Sequence, residues 1–201
     1  MIVKKNQIRE RAAMALLVVG VFFGALLYPE RGRAEGFFAT GPYLGIGIAR
    51  FDSNSTVPMA EDKTYSATQL FGGFQVLGIL GLEVGFVNFN GVVFDLGGGV
   101  TDHFENQSYY GRGNLLIPLM RVSDTTVSIF GSAGVHRWQT SEVVTGVTTK
   151  SSDVSPMVGG GLLLRSPRNA ALRLEYEIFK DVGKVNKIDI NQVNVSILYY
   201  F

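Results

Sequence analysis

The sequence predicts an all-β chain: an eight-stranded antiparallel up-and-down barrel that crosses a membrane. Three observations predict it. Eight segments beat with a two-residue period, the mark of a strand with two unlike faces. The connections between them alternate between short turns and longer polar stretches. The chain also stops on an aromatic residue, Phe201, at the end of QVNVSILYYF, where most domains end in a few polar, frayed residues.

The first element is a leader. Lys4, Lys5, Arg9 and Arg11 precede an uncharged apolar run from Ala12 to Tyr28, and PERGRA then places Gly32 and Ala34 in the small-residue positions before a cut. That is the layout of a secretory signal peptide over residues 1–34, with the barrel domain over 35–201. The rival reading is an uncleaved anchor, since the run approaches the ~20 residues that a spanning helix needs. Cleavage removes 6 of 18 basic and 2 of 17 acidic residues, leaving a net charge of −3 and no basic cluster for nucleic acid. The chain has no cysteine, which excludes a lipidated N-terminal Cys, a thiolate metal site and a disulfide framework. An exported chain without disulfides fits a bacterial envelope protein. After Tyr28 no long apolar run recurs, yet 46% of residues are hydrophobic, so strands must carry the apolar surface.

The strands follow in order. GPYLGIGIARF (41–51) and TYSATQLFGGFQV (64–76) are separated by the polar stretch DSNSTVPMAEDK. LGLEVGFVNF (80–89) follows a short turn, with Glu83 alternating against Leu82 and Val84. SYYGRGNLLIPL (108–119) comes after the long segment 90–107, and in it Arg112 and Asn114 alternate against Gly113 and Leu115. VSIFGSAGVHRW (127–138) sets His136 against Val135, and DVSPMVGGGLLLR (153–165) follows the polar segment 139–152. AALRLEYEIFK (170–180) fixes the faces: Leu172, Leu174, Tyr176 and Ile178 share one side, Arg173, Glu175 and Glu177 the other. INQVNVSILYYF (190–201) closes the series. All eight reach the ~9–11 residues that a tilted spanning strand needs.

A soluble sandwich has the same period, with the apolar side in a core and the charges in water. The leader, the aromatic end and the loop asymmetry favour the barrel, in which the apolar side meets lipid and the charges line the interior. A lipid-facing Arg or Lys costs ~2–4 kcal/mol near the midplane, which sets the register. Aromatics towards strand ends, among them Tyr43, Phe51, Tyr109, Trp138, Phe179, Tyr199 and Phe201, are expected in the girdles where the wall meets headgroups.

LFGGFQVLGILGLEVGF resembles the second hairpin of the OmpA-like transmembrane domains; VSPMVGGGLLLR, LRLEYE and VSILYYF resemble that family's sixth, seventh and last strands. The resemblance implies an interior acid–base pair of Glu83 with Arg173 and a second interior acid at Glu175. Arg112 and Glu177 complete the expected lumen ion network. Where the family carries an interior Lys on the fourth strand, this chain has Asn114, with Arg112 two residues earlier. Asn194, Tyr199 and Phe201 match the signal read by the barrel-assembly machinery, with Ser196 where a Gly is usual. The peptidoglycan-binding domain that follows such barrels in full-length members has no counterpart in these 201 residues.

No catalytic, cofactor or metal residue is expected. Barrel enzymes that modify lipid A need a Ser nucleophile with a base in reach; His103 falls on an expected outer loop, and His136 lacks a Ser two residues away. FDLGGGVTD lacks the Lys-Ser/Thr ending of a phosphate loop. The resulting expectation is a monomeric, non-enzymatic barrel in the outer membrane, surrounded by lipid and lipopolysaccharide. Its role is envelope integrity or surface interaction, with at most small, gated conductance. The alternatives are a lipid A-modifying enzyme and an adhesin-like barrel whose outer loops bind a host or phage surface. The leader also sets a first prediction: protein from the membrane fraction begins at Glu35 by mass spectrometry, and retention of residues 1–28 would instead make the run an anchor.

Overall fold

The structure is a computed structural model that describes residues 40–54, 65–95, 101–144, 147–182 and 188–201. The leader and its cleavage point lie outside these residues. Eight strands follow one another: β1 (Gly41–Asn54), β2 (Tyr65–Val76), β3 (Leu80–Asp95), β4 (Thr101–Val122), β5 (Thr125–Val144), β6 (Val147–Arg165), β7 (Ala170–Val182) and β8 (Ile188–Tyr200). Each pairs antiparallel with the next, and β1 pairs with β8 from Tyr43↔Tyr200 to Asn54↔Asp189, so the sheet closes on itself. Closure matters because a free strand edge presents unpaired backbone groups that lipid cannot satisfy.

The short turns share one end with both termini of the barrel. There β2 reverses into β3 through Leu77 and Gly78, both at positive φ (53° and 73°), and β4 reverses into β5 at Ser123, also left-handed at 54°. Leu77 is an uncommon residue for that conformation, and it projects 70% exposed at the rim.

The burial pattern decides between sandwich and barrel. Ile46, Leu82 and Ile197 are 63%, 66% and 63% exposed, while Glu83, Arg112, Arg173, Glu175 and Glu177 are buried. A water-soluble sandwich would invert both sets. The outer surface is therefore an apolar band, and the interior holds the charges. Inside, small residues make room for large ones. A Cβ on Gly45 would lie 2.2 Å from the Phe71 ring, and one on Gly85 would lie 2.4 Å from Tyr110. Such pairing of glycine with a ring fills a narrow eight-stranded interior.

Two expectations are corrected. Segments 90–107 and 139–152, read as long loops, are largely strand: β3 runs to Asp95 and β4 starts at Thr101, while β5 runs to Val144 and β6 starts at Val147. His103 accordingly lies in β4. These extensions have few alternating apolar residues, so the period that betrays a lipid-facing strand is missing, although their Val and Thr content suits a sheet. Likewise Tyr43, Phe51, Trp138 and Phe179 are not in a girdle; they point inward, at 3% exposure or less. Parity overrides position near a strand end. Phe179 shares the inner face of β7 with Arg173, Glu175 and Glu177, so its ring enters the lumen and meets Phe89 edge-on at 5.5 Å.

Pairing between β6 and β7 begins only at Met157, one residue past Pro156, which has no N–H to donate. The exposed backbone N–H of Val154 is taken up by Asp153 Oδ1 at 2.8 Å. A proline and a charged side chain blunt this edge.

Phe201 lies just past the ladder. Its N–H donates to Pro42 O at 3.1 Å, and its half-exposed ring packs edge-on against Tyr199 at 5.2 Å. Deleting Phe201 leaves every β1–β8 pair in place, so refolding in detergent should persist. Insertion in cells should fall, because the aromatic end resembles the assembly signal. Equal insertion of truncated and full-length chains, measured by heat-dependent gel mobility of membrane extracts, would contradict this.

Candidate functional site

The candidate site is the charged layer across the lumen. Register places its members. Glu83 on β3 stands directly opposite Arg112 on β4, with both side chains inward. Across the barrel, β7 presents Arg173, Glu175 and Glu177 at every second position, and β8 presents Gln192, Asn194 and Ser196 beside them.

Arg112 lies at the centre. Its Nη2 is 2.7 Å from Glu83 Oε1, and its Nη1 is 2.7 Å from both Glu175 Oε1 and Glu177 Oε1. Arg173 reaches over from the far wall to place Nη1 2.7 Å from Glu83 Oε2, and its guanidinium lies 4.0 Å from the centre of the Phe71 ring. Glu83 and Arg173 therefore meet, as the resemblance implies, but Arg112 shares the same carboxylate. Asn114 stands where the resemblance implies an interior Lys, and Arg112, two residues earlier, carries the fourth-strand charge and touches three acids.

Three carboxylates thus face two guanidinium groups, and neutral donors supply the rest. Tyr43 and Tyr110 each donate a hydroxyl to Glu83 at 2.9 Å. Gln192 Nε2 donates to Glu177 Oε2, and Asn194 Nδ2 donates to Gln69 Oε1. Gln69 in turn donates to the Tyr110 hydroxyl at 2.7 Å. Tyr110, Gln69 and Gln192 were not among the expected network residues and Tyr43 was expected in the girdle; all four are buried inside the barrel. Asn194, expected as part of an assembly signal, is fully buried in this layer, whereas Tyr199 and Phe201 face outward. An isolated ion buried here would cost several kcal/mol; partners on nearly every oxygen and nitrogen offset that cost.

A second polar group lies nearer the outer end. His136 Nδ1 is 3.0 Å from Ser108 Oγ, and its Nε2 is 3.2 Å from the Lys180 carbonyl. Ser108 comes from the neighbouring strand, so spacing along the sequence could not reveal the pair. Both residues are 1% exposed, and Phe179 stands edge-on to the imidazole at 5.0 Å. The second ring nitrogen meets a carbonyl, where a Ser-His-acid arrangement would place a carboxylate. Among the described residues no group of three or more His, Asp or Glu could hold a metal ion.

The pattern of the OmpA-like transmembrane domain matches residues 38–201. Among curated proteins none matches the sequence significantly. Among solved structures, Neisserial surface protein A superposes with a TM-score of 0.61 at 13% identity, covering 80% of this chain and 97% of that one. The attachment invasion locus protein Ail of Yersinia pestis gives 0.57 at 17% identity, covering 81% and 100%. The outer membrane protein OprG of Pseudomonas aeruginosa gives 0.55 at 11%, covering 82% and 97%.

The lumen geometry predicts strong coupling. Arg112→Ala leaves Glu177 without a cation and Glu83 and Glu175 with Arg173 alone, and should destabilise the barrel by ~3–5 kcal/mol, more than Arg173→Ala does. A double-mutant cycle on Glu83 and Arg173, read by urea unfolding in detergent, should give a coupling of about 0.5–3 kcal/mol, with the double variant recovering part of the single losses. Strict additivity would mean that the two side chains do not meet.

Proposed function

Because the chain belongs to the OmpA-like transmembrane domain family and lies in the bacterial outer membrane as an eight-stranded barrel, we propose that it is a monomeric, non-enzymatic surface-interaction protein that also contributes to envelope integrity. One observation carries the reading. β4, β5 and β6 have 22, 20 and 19 residues, whereas β1, β2, β7 and β8 have 12 to 14. About 9–11 residues suffice to cross the bilayer. The surplus lies at the end away from the short turns and both termini, so the three strands continue past the barrel wall as a projecting sheet. A transport role would need an open interior, and the charged layer occupies it. The burial of Ser108 and His136 argues against hydrolysis of a lipid, whose acyl ester could not reach the hydroxyl.

The outer leaflet is the first partner. Moving outward on three strands, the first charged lipid-side residues after the apolar band are Arg50, Arg137 and Lys180. Lys180 also pairs with Asp189 at 2.6 Å. Cations at this height suit the phosphates of lipopolysaccharide. The second partner is a host or phage surface met by the projecting sheet, the adhesin-like form of the same role. The name of the Yersinia pestis neighbour speaks of attachment and invasion, which is the observation favouring that form.

Gln139 pairs with Ser152, so residues 140–151 can be replaced by a two-residue Asn-Gly turn without shifting the ladder below. Cells displaying the trimmed barrel should adhere to epithelial monolayers at least about tenfold less than cells displaying the full barrel, with unchanged heat-dependent gel mobility. Equal adhesion, together with detergent sensitivity on deletion of the whole chain, would assign the protein to envelope integrity alone.

A further inference from the structure

At the end with the short turns, the β4–β5 hairpin overhangs its neighbour. The β3–β4 ladder stops at Leu80↔Leu115, where Leu116 N–H donates to Ile79 O at 2.7 Å. Beyond it β4 pairs with β5 alone, as far as Val122↔Thr125. Residue 118, the next whose N–H would face the vacated side, is a proline and has none. The overhang has two unlike faces. Its outer face stays apolar to the tip, with Ile117, Met120 and Val122 each 50% exposed or more. Its inner face is basic. Arg121 stands opposite Thr126, and Thr126 opposite Arg165, so three adjacent strands present one row. Thr126 shares the inner face of β5 with buried Ser128 and Phe130, and Arg165 that of β6 with buried Leu163. Neighbouring strands lie ~4.8 Å apart, which puts the two arginine backbones about 10 Å apart with Thr126 between them.

Little in the protein balances these cations. Arg121 meets Asp124 loosely, at 3.8 Å, with both side chains exposed to screening by water and salt. Arg165, and Arg168 on the exposed β6–β7 turn, enter no ion pair among the described residues. Arg165 is stacked instead on the buried Tyr200 ring, its guanidinium carbon 3.8 Å from the ring centre. Stacking holds the guanidinium plane and leaves its N–H edge for an acceptor.

We propose that this hairpin binds a phospholipid of the inner leaflet: Arg121 and Arg165 hold its phosphate over Thr126, and its acyl chains lie along Ile117, Met120 and Val122. Charge and shape select this ligand. A phosphate offers oxygens on several sides, so two guanidinium forks can share it while the threonine hydroxyl donates a third contact. The basic row and the apolar face are the two surfaces of one two-stranded flap, which matches a molecule that is half anion and half hydrocarbon. The height agrees, because the short turns of such barrels lie at the periplasmic boundary of the bilayer and the apolar face gives way there to exposed Ser123 and Asp124. A soluble anion would use the arginines and leave the apolar face without a part. The site lies at the opposite end from the projecting sheet and does not depend on what that sheet meets.

Native mass spectrometry of the folded barrel, released from detergent micelles that contain phosphatidylglycerol, counts retained lipids. The native chain should keep one. Arg121→Ala/Arg165→Ala should keep it about tenfold less often, the loss expected when charge-assisted hydrogen bonds are removed. Heat-dependent gel mobility establishes that each variant is a folded barrel, and Arg50→Ala, at the other end, should retain the lipid as the native chain does. Met120→Ser/Val122→Ser tests the apolar half and should also lower retention. Equal retention by the double arginine variant would overturn the proposal. Undiminished retention by the Met120/Val122 variant, or displacement of the lipid by an equal concentration of inorganic phosphate, would reduce the row to an anion site and overturn it too. Preferential retention of soluble murein fragments would assign the row to the cell wall instead.

Discussion

The interior depends on one guanidinium. Arg112 touches Glu83, Glu175 and Glu177, each at 2.7 Å, and thereby ties β3 and β4 to β7 across the barrel. Strand pairing alone joins each strand only to its neighbours; this ion cluster joins walls that share no ladder. Its existence follows from a constraint on the outside. In lipid a charge on the outer face costs several kcal/mol near the midplane, and a period of two then sends every other residue inward. The inner residues must satisfy one another in a space with little water, where attraction between ions is screened far less than at a surface. Glycines around the layer follow from the same restriction, since Gly45 and Gly85 leave the room that the Phe71 and Tyr110 rings fill.

Parity was the legible part of the sequence. In β7 it assigned Leu172, Leu174, Tyr176 and Ile178 to one face and Arg173, Glu175 and Glu177 to the other, which is how the structure presents them. Where parity was set aside for position, the reading failed: Phe51, Trp138 and Phe179 sit near the ends of the strands as first drawn, yet they point into the lumen. The extensions of β3 to β6 escaped notice for a different reason. Alternation marks a strand only while its two faces meet different media, and beyond the bilayer both faces can be polar. Apart from the Glu83–Arg173 pair, which the resemblance implied, contacts between strands were beyond reach. Nothing along the chain announces that Ser108 lies beside His136, or that Arg112 serves three acids, because both facts are set by register and by closure.

The same architecture separates two tasks. The lower part is filled, by the ion layer and by the aromatic cluster of Phe51, Phe89 and Phe179 above it, so it serves as a rigid anchor. The upper part, built from long strands with few apolar residues, is free to vary without disturbing lipid contact or the plug. Pro156 marks the boundary on one side, since β7 stops pairing there and β6 continues with β5 alone. On the proposed surface-interaction reading, variation in the projecting sheet changes what the protein meets while the anchor stays fixed.

The central claim, that the ion layer closes the lumen through Arg112, is tested most directly by conductance in planar bilayers. The native barrel should pass almost no current, while Arg112→Ala, which removes the group spanning β3, β4 and β7, should open steps clearly above that baseline. Arg50→Ala, on the lipid face, serves as the control and should behave as the native chain does. A native barrel that conducts freely, or an Arg112→Ala variant indistinguishable from it, would contradict the account.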